Sequence, residues 1–352
     1  MEKTISLTAR ERNCVIGAAL LALFLGALDA LIMSAAMPTI VADLGGLKLY
    51  AWVYSAYFLA RAVSLPIFGK LTDLYNTRNL FLFSIALFLV SSIAAGAAQS
   101  MAFLVFCRVL QGIGAGGNFA LVYIVLSEVA APAQRAKTLS LASSVWGISS
   151  VLGPTLGGFI VSYFSWRWIF FINVPMGILC LAGLGFFLKE SRDKRGKKVS
   201  LDFAGLAFFS LFILGLLVVF TAGGRELAWG SGKMRLLILT TVILGGVFYL
   251  VERRAEEPLV NIGFFKNRVF ALGNTAVLLS SLTIFSFFAY APLYIQAGLS
   301  LNPMQVGLAM VSLSLGWSAG SLFLGRLMHD NVGKKSAVVG AAVLLAGSLL
   351  TL

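Results

Sequence analysis

Charge is scarce in this sequence. Only 12 % of its 352 residues are Asp, Glu, Lys or Arg, the acids number 14, and there is one histidine. A soluble chain of this length needs more polar surface to cover itself, so a water-soluble domain is excluded. Cys14, Cys107 and Cys180 are far apart and all fall in apolar stretches, where a thiol acts as a small hydrophobe. With a lone histidine they make no metal-ligand constellation, and neither a metal nor a cofactor is expected. A nucleophile–base pair and a phosphate-binding glycine loop are missing as well, so a membrane-embedded enzyme is poorly supported.

What remains is hydrophobic: 59 % of the residues are apolar and the mean hydropathy is +0.93. Runs of about 18 or more apolar residues, each able to cross a bilayer core of roughly 30 Å, recur along the whole length. The pattern predicts an all-α polytopic membrane protein with spans at 14–37, 49–69, 79–99, 102–127, 138–162, 167–188, 203–222, 235–251, 269–296, 304–325 and 336–352. The charged start, MEKTISLTARERN, runs into an apolar stretch too long for a cleaved signal peptide. A net charge of +13 could suggest nucleic acid, but the placement of the basic residues argues otherwise. With the N-terminus inside, the inner segments gather 20 of the 27 Lys and Arg and the outer ones 5, with Arg61 and Arg108 inside spans. That bias predicts a cytoplasmic N-terminus, and the basic loops serve as topology signals beside anionic lipid heads.

The few polar residues inside the spans carry the chemistry. Asp29, in LGALDALIMSAAMP, is the one carboxylate well inside an apolar run. A charge there costs about 2.5–3.5 kcal/mol on insertion scales and normally faces a cavity or a partner. Burial favours the neutral acid and a nearby cation favours the carboxylate, which are the opposed terms a reversible proton carrier needs. A structural ion pair with an arginine and contact to a cationic substrate are the competing readings. Pro38 is expected to end this span. Arg61 lies midway down the second span at a depth comparable with Asp29, so the two are candidates to pair. Arg108 lies in the fourth span, FCRVLQGIGAGGNFALVYIVLSE, with Gln111 one helical turn on and on the same face. It is a second candidate partner for Asp29, or for a backbone carbonyl.

The stretch Gly147 to Gly158, GISSVLGPTLGG, is a poor way to build a helix, since an interior proline removes a hydrogen bond and glycine costs about 1 kcal/mol against alanine. It is expected against protein, where neighbours re-satisfy the backbone. Gly153 and Gly157 are spaced to let another helix approach closely, either in a kinked packing helix or in a bendable contact between two halves. Gly316 and Gly320 repeat that spacing and are candidates to receive it. GKLTDLYNTRN, from Gly69, has a second copy in GRLMHDNVGKK, 256 residues later, with His329 where the first has Asp73. Such a repeat is expected of a transporter built from two related halves. His329 reads as a solvated loop residue. Spans seven and eight read as a lipid-facing scaffold. Phe285, Phe288, Tyr290 and Tyr294 of span nine, with Gln111, are candidates to line a substrate cavity, although aromatic spans more often serve packing or an interfacial belt.

Together these residues resemble the major facilitator superfamily, and within it the fourteen-span drug:proton antiporter branch. GKLTDLYNTR is similar to that family's loop motif between spans two and three, RVLQGIGAG to its span-four motif, GPTLGG to the span-five motif of exporters, and LDALIMSAAMP to the first-span motif of the branch. SWRWIFFINVP is similar to the start of its sixth span and EEPLVNIGFFKNRVF to its linker before span nine. The resemblance implies an N-terminal six-helix bundle at 1–188, a cytoplasmic linker and two inserted helices at 189–262, and a C-terminal bundle from 263 to 352. With eleven spans counted and fourteen implied, the chain reads as lacking the last three. The resemblance further implies a proton-coupled, alternating-access exporter of amphipathic or hydrophobic compounds in a bacterial-type cell membrane. Asp29 and Arg108, with Arg61, would be its proton-coupling residues. Asp73, Arg78 and Glu128 would form a cytoplasmic latch, and Gly147, Gly153, Pro154, Gly157 and Gly158 a hinge and seal. Leu31 and Ser34 stand where the first-span motif has Thr and Asn, and Leu74 where the loop motif has Arg, so one latch cation is gone. No second acid appears in span two, which argues against dicationic substrates. Export of a lipid or a specific metabolite, and a degraded non-transporting paralogue, are the alternatives. The expected partners are the bilayer, protons and a small amphipathic molecule; the sequence identifies no envelope-spanning adaptor.

Overall fold

A computed structural model describes residues 8–130, 135–189, 202–224, 226–255, 258–302, 304–311, 315–316, 338–340 and 342–343. The expectations for the linker at 190–201, the second loop copy with His329, Gly320 and most of spans ten and eleven fall outside these residues, as does the side chain of Phe288. Among the described residues nine helical stretches are long and apolar enough to cross a membrane, in register with the first nine expected spans.

The helices are α1 (Ala9–Leu44), α2 (Tyr50–Leu74), α3 (Thr77–Gly96), α4 (Met101–Val129), α5 (Arg135–Tyr163), the short α6 (Trp168–Phe171), α7 (Asn173–Phe187), α8 (Phe203–Ala222), α9 (Gly232–Arg254) and α10 (Arg268–Leu293). A helical turn at 304–311 follows. Their starts are set by side chains that satisfy the free N–H groups of the first turn. Thr8 and Glu11 form a capping box on α1, and Asn76, Ser100, Asp202, Ser231 and Asn267 accept from backbone N–H groups at the starts of α3, α4, α8, α9 and α10. Gly45 and Gly46 turn the chain out of α1 with φ of 69° and 71°, a region favouring glycine.

Proline breaks these helices less than expected. Pro38 does not end α1, which continues to Leu44, and Pro66, Pro154 and Pro292 likewise sit inside helices. Inside a bundle, neighbouring helices and cavity water can meet the freed backbone groups, which lipid cannot do. The sixth span, by contrast, is interrupted at Ile172. Pro175 lacks the N–H that would bond to the carbonyl four residues back, so the turn there is left open.

Most of the apolar packing falls into two clusters stacked along the bundle, with a small third one joining Leu31 to Met310. One joins Val15 to Leu25 of α1 with Phe81 to Leu89 of α3, Leu121 to Val129 of α4 and Cys180 to Leu188 of α7. The other joins Ile32 to Ile40 of α1 with Tyr50, Val53, Ala95, Met101 to Cys107 and Ile169 to Phe170. Between them sit buried polar residues of α1, α3, α4 and α7: Asp29, Ser92, Arg108, Gln111 and Asn173. The outer surface stays apolar, with Phe83, Val90, Phe186, Phe220 and Val242 exposed, as a lipid-facing wall requires.

Close helix approach depends on glycine. A Cβ at Gly116 of α4 would lie 2.5 Å from the Arg61 carbonyl oxygen of α2, and one at Gly112 would fall on the Tyr57 carbonyl oxygen. α5 meets α1 the same way: a Cβ at Gly153 would lie 2.8 Å from Leu31 Cβ, and one at Gly157 would lie 2.7 Å from the Ile32 carbonyl oxygen. The far side of the α5 glycine–proline run receives Gly307, whose Cβ would lie 2.6 Å from the Pro154 carbonyl oxygen and 3.4 Å from Gly158 Cα. Gly316, the expected recipient, has open space around it. The glycine that makes this contact, Gly307, comes nine residues before Gly316 in the sequence.

α8 and α9 pair with one another, and α8 leans on α2. Glu252 is buried at the end of α9, and its Oε2 accepts from Val260 N at 3.0 Å, tying the segment after the helix back onto it.

Candidate functional site

Asp29 is the hub of the polar layer, only 1 % exposed. Its Oδ2 accepts from Arg108 Nη1 at 2.7 Å, an ion pair in which both side chains are 1 % exposed. Its Oδ1 accepts from Gln111 Nε2 at 2.8 Å and from Asn173 Nδ2 at 3.1 Å. Arg108 Nη1 also reaches Gln111 Oε1 at 2.8 Å, so the i, i+3 pair on α4 acts as one unit. Asn173 also donates to Ser92 Oγ at 3.0 Å, and that hydroxyl donates to the Phe170 carbonyl at 2.9 Å. The guanidinium of Arg108 lies 3.9 Å from the centroid of the Tyr57 ring, and its Nε points to the Val53 carbonyl at 3.4 Å. One negative and one positive charge are thus sealed in an apolar bundle, each held by further donors or acceptors, as a buried pair requires.

Asp29 therefore pairs with Arg108 and not with Arg61. Depth along a helix does not give the angle around it, and Arg61 points elsewhere. It lines a cavity of about 740 Å³ bounded by α1, α2, α4, α5, α8 and α10. There it stands 4.7 Å from the Phe119 centroid and 5.5 Å from that of Trp146. Tyr57 is one turn before Arg61 on the same face of α2, so its ring bridges the cavity-lining cation and the sealed ion pair.

The other expected site residues divide. Phe285 and Tyr290 line the cavity, Phe285 5.5 Å from Phe58 and Tyr290 6.4 Å from Tyr50, so that aromatic contacts join α10 to α2. Gln111 does not line it; the side chain is fully buried on Asp29. Tyr294 is 66 % exposed in the π-helical turn after α10, away from the wall. The inserted helix α8 is more than a lipid-facing scaffold, because Ile213 and Leu217 form part of the cavity wall. Asn173 was missed as a site residue, although it stands in the quoted FINVP stretch; an amide in an apolar run was the available signal.

The latch residues are not joined to one another. Arg78 donates to the Gly185 carbonyl of α7, while Asp73 and Glu128 are exposed and make no ion pair among the described residues. At the opposite end of α1, Asp43 Oδ2 accepts from Trp166 Nε1 at 2.8 Å and pairs with Arg167 Nη1 at 3.0 Å, fastening α1 to the corner before α6.

This chain matches the family model of the Major Facilitator Superfamily over residues 19–352. It belongs to that superfamily. It is 32 % identical over 350 residues to multidrug resistance protein 3 of Bacillus subtilis (strain 168), covering 99 % of this chain and 68 % of that protein. It is 32 % identical to the multidrug transporter protein MdtP of the same organism, covering 97 % of this chain and 63 % of that one. The efflux pump FUS6 of Gibberella fujikuroi is 32 % identical over 309 residues, 84 % of this chain and 56 % of the pump. The chain thus spans between about half and two thirds of the length of these relatives. Among solved structures, the inward-open xylose transporter XylE from E. coli shares the fold, with a TM-score of 0.57 at 12 % identity over 91 % of this chain and 69 % of that one. This superfamily member is a multi-pass integral membrane protein, and its family and relatives are transporters, not enzymes.

Proposed function

We propose that the protein is a proton-coupled exporter of amphipathic or hydrophobic organic compounds, working by alternating access. The observation that carries this reading is the sealed Asp29–Arg108–Gln111–Asn173 cluster lying one aromatic ring, Tyr57, from a large apolar cavity. The multidrug names of two relatives support substrate breadth, and the efflux pump FUS6 supports the export direction.

A proton arriving at Asp29 neutralises the carboxylate and leaves Arg108 with only carbonyl, amide and ring partners. The protonated acid becomes a hydrogen-bond donor in a nest of donors, so the cluster must rearrange. Each protonation state then prefers a different arrangement of the two halves, which is the differential interaction that coupling requires. The halves are proposed to be residues 1–188 and the bundle beginning at 263, with 189–262 inserted between them. They would move about the contact where Gly307 seats on Pro154 and Gly158. Asp73, Arg78 and Glu128 would close a latch in the alternate state. The N-terminus would lie in the cytoplasm of a bacterial-type cell, a reading that the bias of the basic segments supports.

The test is transport by the purified protein in liposomes of an uncharged hydrophobic dye, with and without an imposed proton gradient. Uptake that follows the gradient and collapses with a protonophore is expected. Gradient-independent movement would contradict the proposal.

A further inference from the structure

Among the described residues Arg61 is a cation without an anion. No acid pairs with it among the described residues, and no other charged side chain among the described residues lines the cavity. The one carboxylate nearby, Asp29, is turned away from the cavity and already neutralised by Arg108. Phe119 and Trp146 lie against the guanidinium and the Tyr57 hydroxyl is within hydrogen-bonding reach of it, but all three are neutral groups that leave its charge uncompensated. A half-buried guanidinium with no carboxylate partner among the described residues, set in low-dielectric walls, creates a positive potential in the space it faces. The rest of the wall is apolar and aromatic, with Phe58, Phe285 and Tyr290 as its rings.

From this we infer the charge class of the ligand: amphipathic organic anions, with an apolar or aromatic body and one acidic head group. The acid would sit on the edge of Arg61 in place of water, a charge-assisted contact of the kind guanidinium makes best. The body would lie between the α2 and α10 rings, and the cavity volume suits a molecule of drug size. Cations are disfavoured because no carboxylate lines the described wall and Arg61 repels them, which ring faces alone offset only in part. This rests on reading the cavity as the substrate site, and it narrows that reading to one charge sign.

The experiment is equilibrium binding to the purified whole protein in detergent, without a gradient, of three probes sharing one pyrene body: 1-pyrenebutyrate, its methyl ester, and pyrenebutyl-trimethylammonium. We expect the carboxylate to bind roughly tenfold or more tighter than the ester, with the cation weakest. Arg61→Gln should bring the carboxylate and the ester to parity, and Arg61→Lys should keep the carboxylate first. Equal binding of all three by the wild type would overturn the inference, whether or not any variant folds. So would an unchanged ranking in Arg61→Gln with lowered thermal stability, which would make Arg61 an internal counter-ion. Failure of the export proposal looks different: none of the three probes would move with a proton gradient, while the binding order stayed intact.

Discussion

Asp29 is accommodated in an apolar bundle because donors from two other helices converge on it, with Arg108 as its ion-pair partner. Removing one partner strands the other. Arg108→Gln is expected to cost about 3–5 kcal/mol of stability, since an uncompensated buried carboxylate remains. Adding Asp29→Asn should restore much of it, and thermal unfolding of the single and double variants in detergent checks this. Asp29, Arg108 and Gln111 were legible in the sequence because a charge in an apolar run is conspicuous and the i, i+3 spacing places the last two together. Asn173 was not, because a single amide 144 residues from its carboxylate partner carries no local periodicity. The pairing of Asp29 with Arg61 failed for a geometric reason: equal depth leaves the direction of a side chain around its helix undetermined.

At the scale of elements, glycines decide where helices touch. Gly116→Ala on α4 would push a methyl group to 2.5 Å from the Arg61 carbonyl oxygen, with Ser64 closer still, so the α2–α4 seam must open. A marked fall in unfolding temperature and in recovered folded protein is expected. Gly17→Ala on α1 meets nothing within 4 Å and should be neutral or stabilising by up to about 1 kcal/mol, from helix propensity. The nine spans were legible because apolar length is a strong signal, yet their ends were not. α1 runs on through Pro38 to Leu44 because packing inside a bundle overrides the local cost of proline. The contribution of α8 to the cavity was hidden for a related reason: its uniformly apolar sequence has no face to distinguish wall from lipid.

For the molecule as a whole, the proposed hinge is the contact on α5 where Gly307 sits against Pro154 and Gly158. Gly307→Leu should force that contact apart, lowering transport in liposomes while leaving the N-terminal helices folded by thermal unfolding. The orientation is equally open to test. Single cysteines, in a background lacking the native three, at Lys48 and Lys233 should react with an impermeant thiol reagent added outside intact cells. Those at Lys70 and Lys189 should react only after the membrane is opened. The fold of the whole was legible through six motifs in order, whereas the cavity was not, because its wall is assembled from side chains on six helices far apart in the chain. The most direct test of the central claim is proton-gradient-driven transport by purified wild type and Asp29→Asn in liposomes of identical composition. The account predicts that the variant loses gradient-driven transport yet still exchanges substrate across the membrane. Gradient-driven transport at the wild-type rate would contradict it.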